Sequence, residues 1–418
     1  MAPQSETRVS ARPQALQTAG RVTAIDGMRA LAMLMVYVYH TWEFAGAPAL
    51  RVGELSIGAI INGFPAGVDL FMVLSGFCLF WPLAKNPSLA AQWETGDFAR
   101  RRARRILPPY LGSILFVTLL PNFFVCIFKL SHLPAKWQHF PSLWQYVTHL
   151  TFTHTLFPGT WDGIQGVYWS LGLEAQLYVA FPLVVWLFRK MGIAVLIPMV
   201  LTSLVYRIIG AAILRDAGWR PNFLFSITFL GRWMEFAAGM LAAWIVAKRR
   251  NSLLSGFAGS ALCGSAILTY SVAVSHLVPN LGRFPLREVL LSFAFGSGAV
   301  AVCASRSLLR RALEHRALVF LGVISYSIFL LHQNMMFYFG ELLKKVLHLN
   351  AGARLGLLLT VGFAITVAIS YAFFRIFERP FLSARAKSST RDSALDARGA
   401  QPVVEVIRPR FPARDAVA

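Results

Sequence analysis

I-D-G-M-R-A-L-A-M-L-M-V-Y-V-Y-H-T-W, residues 25–42, is an apolar run of the length that crosses a bilayer as a helix. It carries Arg29 near its start and His40 near its end. The two are eleven residues apart. At about 100° and about 1.5 Å per residue, they fall on one face, separated by about 16 Å along the axis. A fixed cation and a titratable imidazole on one stripe of an apolar span need partners, because polar groups in hydrocarbon cost several kcal/mol when unsatisfied.

The rest of the chain fits a membrane setting. Of 418 residues 56% are hydrophobic and only 14% charged, and the mean hydropathy is +0.57. A soluble protein of this length does not need so much apolar surface, so the expected fold is an all-α polytopic membrane bundle. The net charge of +21 would suit nucleic acid. The basic residues, however, sit in short clusters between apolar runs, as in cytoplasmic loops, and no nucleic acid partner is expected. Cys78, Cys126, Cys263 and Cys303 lie in apolar runs without metal-ligand spacing. They read as small hydrophobes, and no metal is expected.

Apolar runs of spanning length occur at 26–45, 60–83, 107–129, 167–188, 191–214, 223–247, 253–274, 286–304, 318–340 and 355–378. This predicts about ten transmembrane helices. With the N-terminus inside, the cytoplasmic loops collect Arg100 to Arg105, Arg189, Lys190, Lys248, Arg249, Arg250, Arg306, Arg310, Arg311 and Arg316. That bias predicts both termini on the cytoplasmic side. Residues 1–22 and 383–418 read as disordered tails around one membrane domain, 23–382. The first tail has no apolar core, so the first span is expected to act as a signal anchor. Residues 97–106 read as a basic amphipathic segment. Residues 130–166, with His132, His139, His149 and His154, read as a long outer segment whose part near 143–157 is interfacial or re-entrant.

The informative residues are the ionisable ones inside the spans: Arg29, His40, Asp69, Glu174, Arg232, Glu235, His332, Arg375 and Glu378. Counted from the run ends, Asp69, Glu174, Arg232, Glu235, His40 and His332 fall between the midplane and the outer half. Arg29, Arg375, Glu378 and Arg379 fall near the cytoplasmic face. Polar groups from several helices at two depths imply a cavity or tunnel. Plainer readings stand beside this one. Asp69 suits a helix cap, Arg232 and Glu235 a structural pair, His332 a packing residue, and Glu378 and Arg379 an end anchor. Five arginines in six positions, 100–105, suit phosphate or anionic lipid heads.

The same residues lie in a series of ordered motifs: I-D-G-M-R-A-L-A with Arg29 and, after ten residues, His40; G-V-D-L-F-M-V-L-S-G-F at 67–77; F-A-R-R-R-A-R-R-I-L-P-P-Y at 98–110; Y-W-S-L-G-L-E-A-Q-L-Y at 168–178; G-R-W-M-E-F-A-A-G-M at 231–240; F-L-G-V-I-S-Y-S-I-F-L-L-H at 320–332; and F-F-R-I-F-E-R-P-F at 373–381. Together they resemble the acyltransferase 3 family of integral membrane acyltransferases, over residues 22 to about 382. The chain departs from that pattern at Ala175 and Leu177 and in the Gln333-Asn334-Met335 that follows His332. The resemblance implies transfer of an acyl group, usually acetyl, from cytoplasmic acyl-coenzyme A to a hydroxyl of a cell-surface carbohydrate or lipid-linked glycan, in a bacterial inner membrane. It implies that His40 and Arg29 are the central pair.

Transfer from a thioester to an alcohol needs a base, oxyanion donors and a held donor. Imidazole titrates near neutrality, at about 6.5. His40 is therefore assigned as general base, with Glu174 or Asp69 orienting its second nitrogen. Arg29, with Arg101, Arg104 and Arg105, is assigned to the phosphates of coenzyme A. Arg232, Glu235 and His332 are assigned to the acceptor. A covalent acyl-histidine is competing chemistry. The rival function is a transporter of an anion or glycan that uses the buried charges as a pathway.

Overall fold

The 25–42 stretch lies in one helix, α1 (Thr23–Phe44), with Asp26 in its first turn where a carboxylate complements the helix dipole. In this computed structural model the described residues are 22–128, 141–157, 159–214, 223, 225–249, 254–275 and 285–382. The tails expected at 1–22 and 383–418 lie outside them, except for Val22, as do His132 and His139.

Past α1 the chain makes a two-residue ribbon, β1 (Arg51–Val52) against β2 (Leu55–Ser56), and a short α2 (Ile57–Asn62). The helices α3 (Gly67–Lys85), α4 (Thr95–Phe128), α5 (Leu143–Leu150), α6 (Trp169–Met191) and α7 (Leu196–Ile213) follow. Then come α8 (Trp233–Lys248), α9 (Gly256–Val274), α10 (Leu286–Cys303), α11 (Leu308–Leu313), α12 (Arg316–Val323), α13 (Ser325–Lys345) and α14 (Ala351–Leu382).

Every apolar run of the sequence overlaps a helix. Among the described residues five helical stretches are long and apolar enough to cross a membrane: Ile57–Lys85, Gly166–Ile213, Gly256–Val274, Leu286–Cys303 and Ala351–Leu382. A sixth is the α12–α13 pair, bent by 74°. The chain is an integral membrane protein. The count falls short of ten for local reasons. The α8 helix has 16 residues, about 24 Å of rise. The basic segment 97–106 is not a separate surface element but the first turns of α4, which runs 34 residues without a break. The α6 and α7 helices join through Gly192, whose φ of 59° suits glycine, into one Gly166–Ile213 stretch.

Helix α1 packs on α3, α12 and α13, and α3 packs on α8. These crossings are close because small residues meet backbone. A Cβ at Gly239 in α8 would stand 2.8 Å from the Phe77 nitrogen of α3, and Gly76 of α3 faces Phe236 in return. Gly27 of α1 meets Leu313, and Gly322 of α12 meets Asp26. Glycine-mediated contact supplies the close packing that lipid-embedded helices depend on. Gly239→Leu is therefore expected to separate α3 from α8, seen as loss of the monodisperse peak on size exclusion in detergent, whereas Gly264→Ala, with open space around it, leaves that peak intact.

The segment before α6 shapes the site. Helix α5 begins with a capping box in which Ser142 and Gln145 satisfy each other's backbone nitrogens. Its Leu143, Trp144, Val147 and Leu150 are exposed, while His149 is buried. His154, Thr155, Thr160, Gln165, Val167 and Tyr168 are buried too, so this stretch enters the bundle. Helix α14 contains two π-helical turns, Leu358–Gly362 and Phe374–Glu378.

Candidate active site

Helix α1 presents polar groups to two separate environments. At the N-terminal end Arg29 lies in the field of Asp26, Glu174 and Tyr178, with its Nη2 4.0 Å from the Cys78 sulfur. Tyr178 donates a hydrogen bond to Glu174. Arg105 from α4 interacts electrostatically with Arg29, Tyr178, Arg102 and Glu378. Glu378 accepts a hydrogen bond of 2.8 Å from Ser327. Three guanidiniums, Arg29, Arg102 and Arg105, thus meet three carboxylates, Asp26, Glu174 and Glu378. Formally the charges balance, but three guanidiniums converge from α1 and α4, and Arg102 Nε is buried without a hydrogen-bond partner among the described residues. Such a site fits a polyanion.

At the other end His40 Nδ1 lies 3.1 Å from Glu43 Oε2. The carboxylate accepts, so Nδ1 carries the proton and Nε2 keeps a free lone pair. The His332 ring of α13 stands 5.4 Å from the His40 ring, centre to centre. His332 Nδ1 donates to the Phe329 carbonyl at 2.8 Å, which leaves its buried Nε2 without a partner among the described residues. Next in the chain, Gln333 accepts from the Val167 nitrogen at 3.1 Å, and the amide of Asn334 is buried with neither atom bonded among the described residues.

The sequence-assigned residues divide between these ends and a third place. Arg29 and His40 do lie at opposite ends of one helix. His332 joins His40. Glu174 is not at His40: α6 starts from a buried segment, so its first turns lie deep and Glu174 reaches Arg29. Asp69 is not a cap either. It sits in the first turn of α3 and pairs with Arg232. Arg232 also pairs with Glu235 at 3.3 Å, and Arg207 of α7 binds both Glu235 at 3.4 Å and Glu288 of α10 at 3.0 Å. Arg207 Nε further donates to the Gly231 carbonyl at 2.5 Å. Asp69, Arg232 and Glu235 therefore belong to an ionic network joining α3, α7, α8 and α10. Arg101 and Arg104 are exposed, with Arg102 and Arg105 turned inward. A helix places i and i+3 on one face, so only alternate members of the basic run can enter the cluster.

Glu43, Tyr178, Arg207 and Glu288 are not singled out in the sequence, and Arg102 is singled out only as one of the five arginines at 100–105. Glu43 stands three residues after His40, the helical spacing of a paired side chain, and Arg207 interrupts an apolar run in V-Y-R-I-I. Both signals were present.

The stretch between α5 and α6, with the end of α5, adds a histidine pair outside the candidate spans. The His149 and His154 rings stack at 4.2 Å, and their bonds to the Gln145 and Tyr168 carbonyls are 2.8 and 2.9 Å. Burial, and then the neighbouring His154, push the His149 imidazole down to about 3. Burial lowers His154 as well. The folded state thus binds fewer protons than the unfolded chain between about pH 3 and the ordinary value of about 6.5. Stability from His149 is full above that range and falls, by at most about 1.4 kcal/mol per pH unit, as pH drops through it. His149→Phe is expected to flatten the decline in melting temperature between pH 7 and pH 5.

The acyltransferase domain family model, that of the acyltransferase 3 family, matches residues 22–375. The peptidoglycan O-acetyltransferase OatA of Listeria monocytogenes is 26% identical over 378 residues, covering 86% of this chain and 55% of that protein. The O-acetyltransferase OatA of Staphylococcus aureus is 26% identical over 164 residues, covering 38% of this chain and 24% of that protein. The chain spans about half the length of the first curated relatives it matches. No solved structure matches. With its motifs in order and the family model matched over 22–375, the chain belongs to the acyltransferase 3 family.

Proposed function

We propose that the chain is a membrane O-acetyltransferase that moves an acetyl group from acetyl-coenzyme A to a hydroxyl of a cell-wall carbohydrate. The observation that carries this reading is the division of α1 between a cluster of three converging guanidiniums and a histidine with a carboxylate partner. The relatives named as peptidoglycan O-acetyltransferases support the acceptor class. In this reading Arg29, Arg102 and Arg105 hold the phosphates of the donor, on the side to which the Lys and Arg bias assigns the cytoplasm. The pantetheine arm runs toward His40.

His40 Nε2 takes the proton of the acceptor hydroxyl as its oxygen attacks the thioester carbonyl. The C–S bond breaks, the acetyl group stays on the acceptor oxygen, and the proton passes to the coenzyme A thiolate. Glu43 holds the His40 tautomer and stabilises the imidazolium that forms. The orienting carboxylate is thus Glu43, in place of Glu174 or Asp69.

The test is turnover of labelled acetyl-coenzyme A by purified protein in lipid, with a cell-wall glycan present. Wild type is expected to label the glycan. Arg29→Ala is expected to raise the donor KM by about 10- to 150-fold, the loss of one charge-assisted contact of roughly 1.5–3 kcal/mol, with a smaller change in kcat. A wild-type protein that leaves both donor and glycan untouched would exclude this function.

A further inference from the structure

Beyond the His40 end of α1 the chain folds into a cleft of about 350 Å³ that the proposed reaction does not use. Its walls include Trp42, Pro48, Arg51, Ser56, Gly58 and Asn62. The wall is held in place. The Trp42 indole nitrogen donates to the Pro48 carbonyl at 3.0 Å. Arg354 of α14 donates twice to the Ala45 carbonyl, at 3.2 and 2.7 Å, and pins the turn that follows α1. Gly58 faces the indole without a side chain: a Cβ there would stand 3.6 Å from Trp42 Cζ2. An indole face, a guanidinium, an amide and a hydroxyl around one open cleft are the groups that take a sugar ring, with its apolar face and rim of hydroxyls.

The cleft is connected to His40 by rings. Tyr39 stands 5.2 Å from His40 and 6.4 Å from Trp42, centre to centre. Since Trp42 follows His40 by two residues, the two point to different sides of α1, and Tyr39 bridges them across its end. A single sugar at His40 would not reach the cleft, whereas a chain of sugars laid over Tyr39 would fill both.

We propose that this cleft is a subsite for a sugar next to the one acetylated, so that the acceptor is an extended glycan and not a monosaccharide. This rests on the O-acetyltransferase reading above. Trp42 stacks on the flanking sugar, and Arg51 and Asn62 bind its polar rim.

The experiment compares acetylation of a dimer and a tetramer of N-acetylglucosamine by the full chain in lipid bilayers, with hydrolysis of acetyl-coenzyme A followed in parallel. Wild type is expected to favour the tetramer by about tenfold in kcat/KM, the effect of roughly 1.4 kcal/mol of added binding. Trp42→Ala, Arg51→Ala and Gly58→Phe, which fills the cleft, are expected to bring that ratio to near one. Trp42→Phe keeps a stacking ring and most of the preference. Because the readout is a ratio within each variant, a partial loss of folded protein does not mimic the result. A wild type without length preference, or cleft variants that retain it, would overturn the subsite and leave glycan acetylation standing. A wild type that hydrolyses the donor but acetylates neither oligomer would overturn the glycan reading, and the subsite with it.

Discussion

Replacing His40 with alanine is expected to lower acetyl transfer by about 10²–10⁴-fold, the usual contribution of a positioned general base. The effect belongs in kcat, with the KM for acetyl-coenzyme A close to that of wild type, because the arginine cluster is at the other end of α1. The fold is expected to survive. His40 is only partly buried, and its one hydrogen bond among the described residues reaches Glu43, a half-exposed residue one turn further along the same helix. Glu43→Gln gives the graded control. It can still accept from His40 Nδ1 but carries no charge to offset the imidazolium, so its loss is expected to fall between the two. The measurement is initial rate against donor concentration in lipid, with thermal unfolding of each variant beside it. A His40→Ala protein that transfers acetyl at the wild-type rate would remove His40 from the chemistry.

Arg207→Ala is expected to cost about 3–5 kcal/mol of stability, the range for removing one partner of a buried ion pair. Arg207 binds the fully buried Glu235 and the partly buried Glu288 and also donates to the Gly231 carbonyl. Without it, Asp69, Glu235 and Glu288 share Arg232, with Arg287 acting on Glu288, and α7 and α10 lose their polar link to α8. Arg207→Lys keeps the charge but loses the planar fork that reaches three acceptors, so its cost is expected to be intermediate. The readout is the midpoint of thermal unfolding in detergent. Adding Glu235→Gln to Arg207→Ala is expected to recover part of the loss, because it removes a buried charge left short of partners. A single variant that melts with wild type would show that the network contributes specificity and not stability.

The helices were legible because the apolar runs are long, and the Arg29–His40 pair because one helical period joins them. The partners of those two residues were harder to read. Counting from the end of its run puts Glu174 at the His40 depth only if the span begins at the membrane surface. The buried approach to α6 through His154, Gln165 and Tyr168 breaks that condition. The basic run 100–105 was legible as a phosphate site in composition, but only the helical phase of α4 selects Arg102 and Arg105 over Arg101 and Arg104. Asp69 and Arg232 are 163 residues apart in sequence. No local pattern links such a pair, so their pairing comes from the crossing of α3 and α8. The apolar run around Arg207 reads as a span whatever that residue does, and its role depends on carboxylates from two other helices.

The two π turns of α14 have a consequence for how this chain tolerates change in length. A π turn accommodates one more residue than α-helical winding would place there. The second, Phe374–Glu378, ends on the carboxylate that faces Arg29 and Arg105. Losing one residue from that turn would restore regular winding with Glu378 near its present face, whereas losing one from the regular turns just before it would swing Glu378 by about 100°. That second loss would take one carboxylate away from Arg29 and Arg105 while every contacting side chain kept its identity. At this end of the protein a one-codon deletion is a larger event than most substitutions, and the register of α14 is held by the number of residues as firmly as by their kinds.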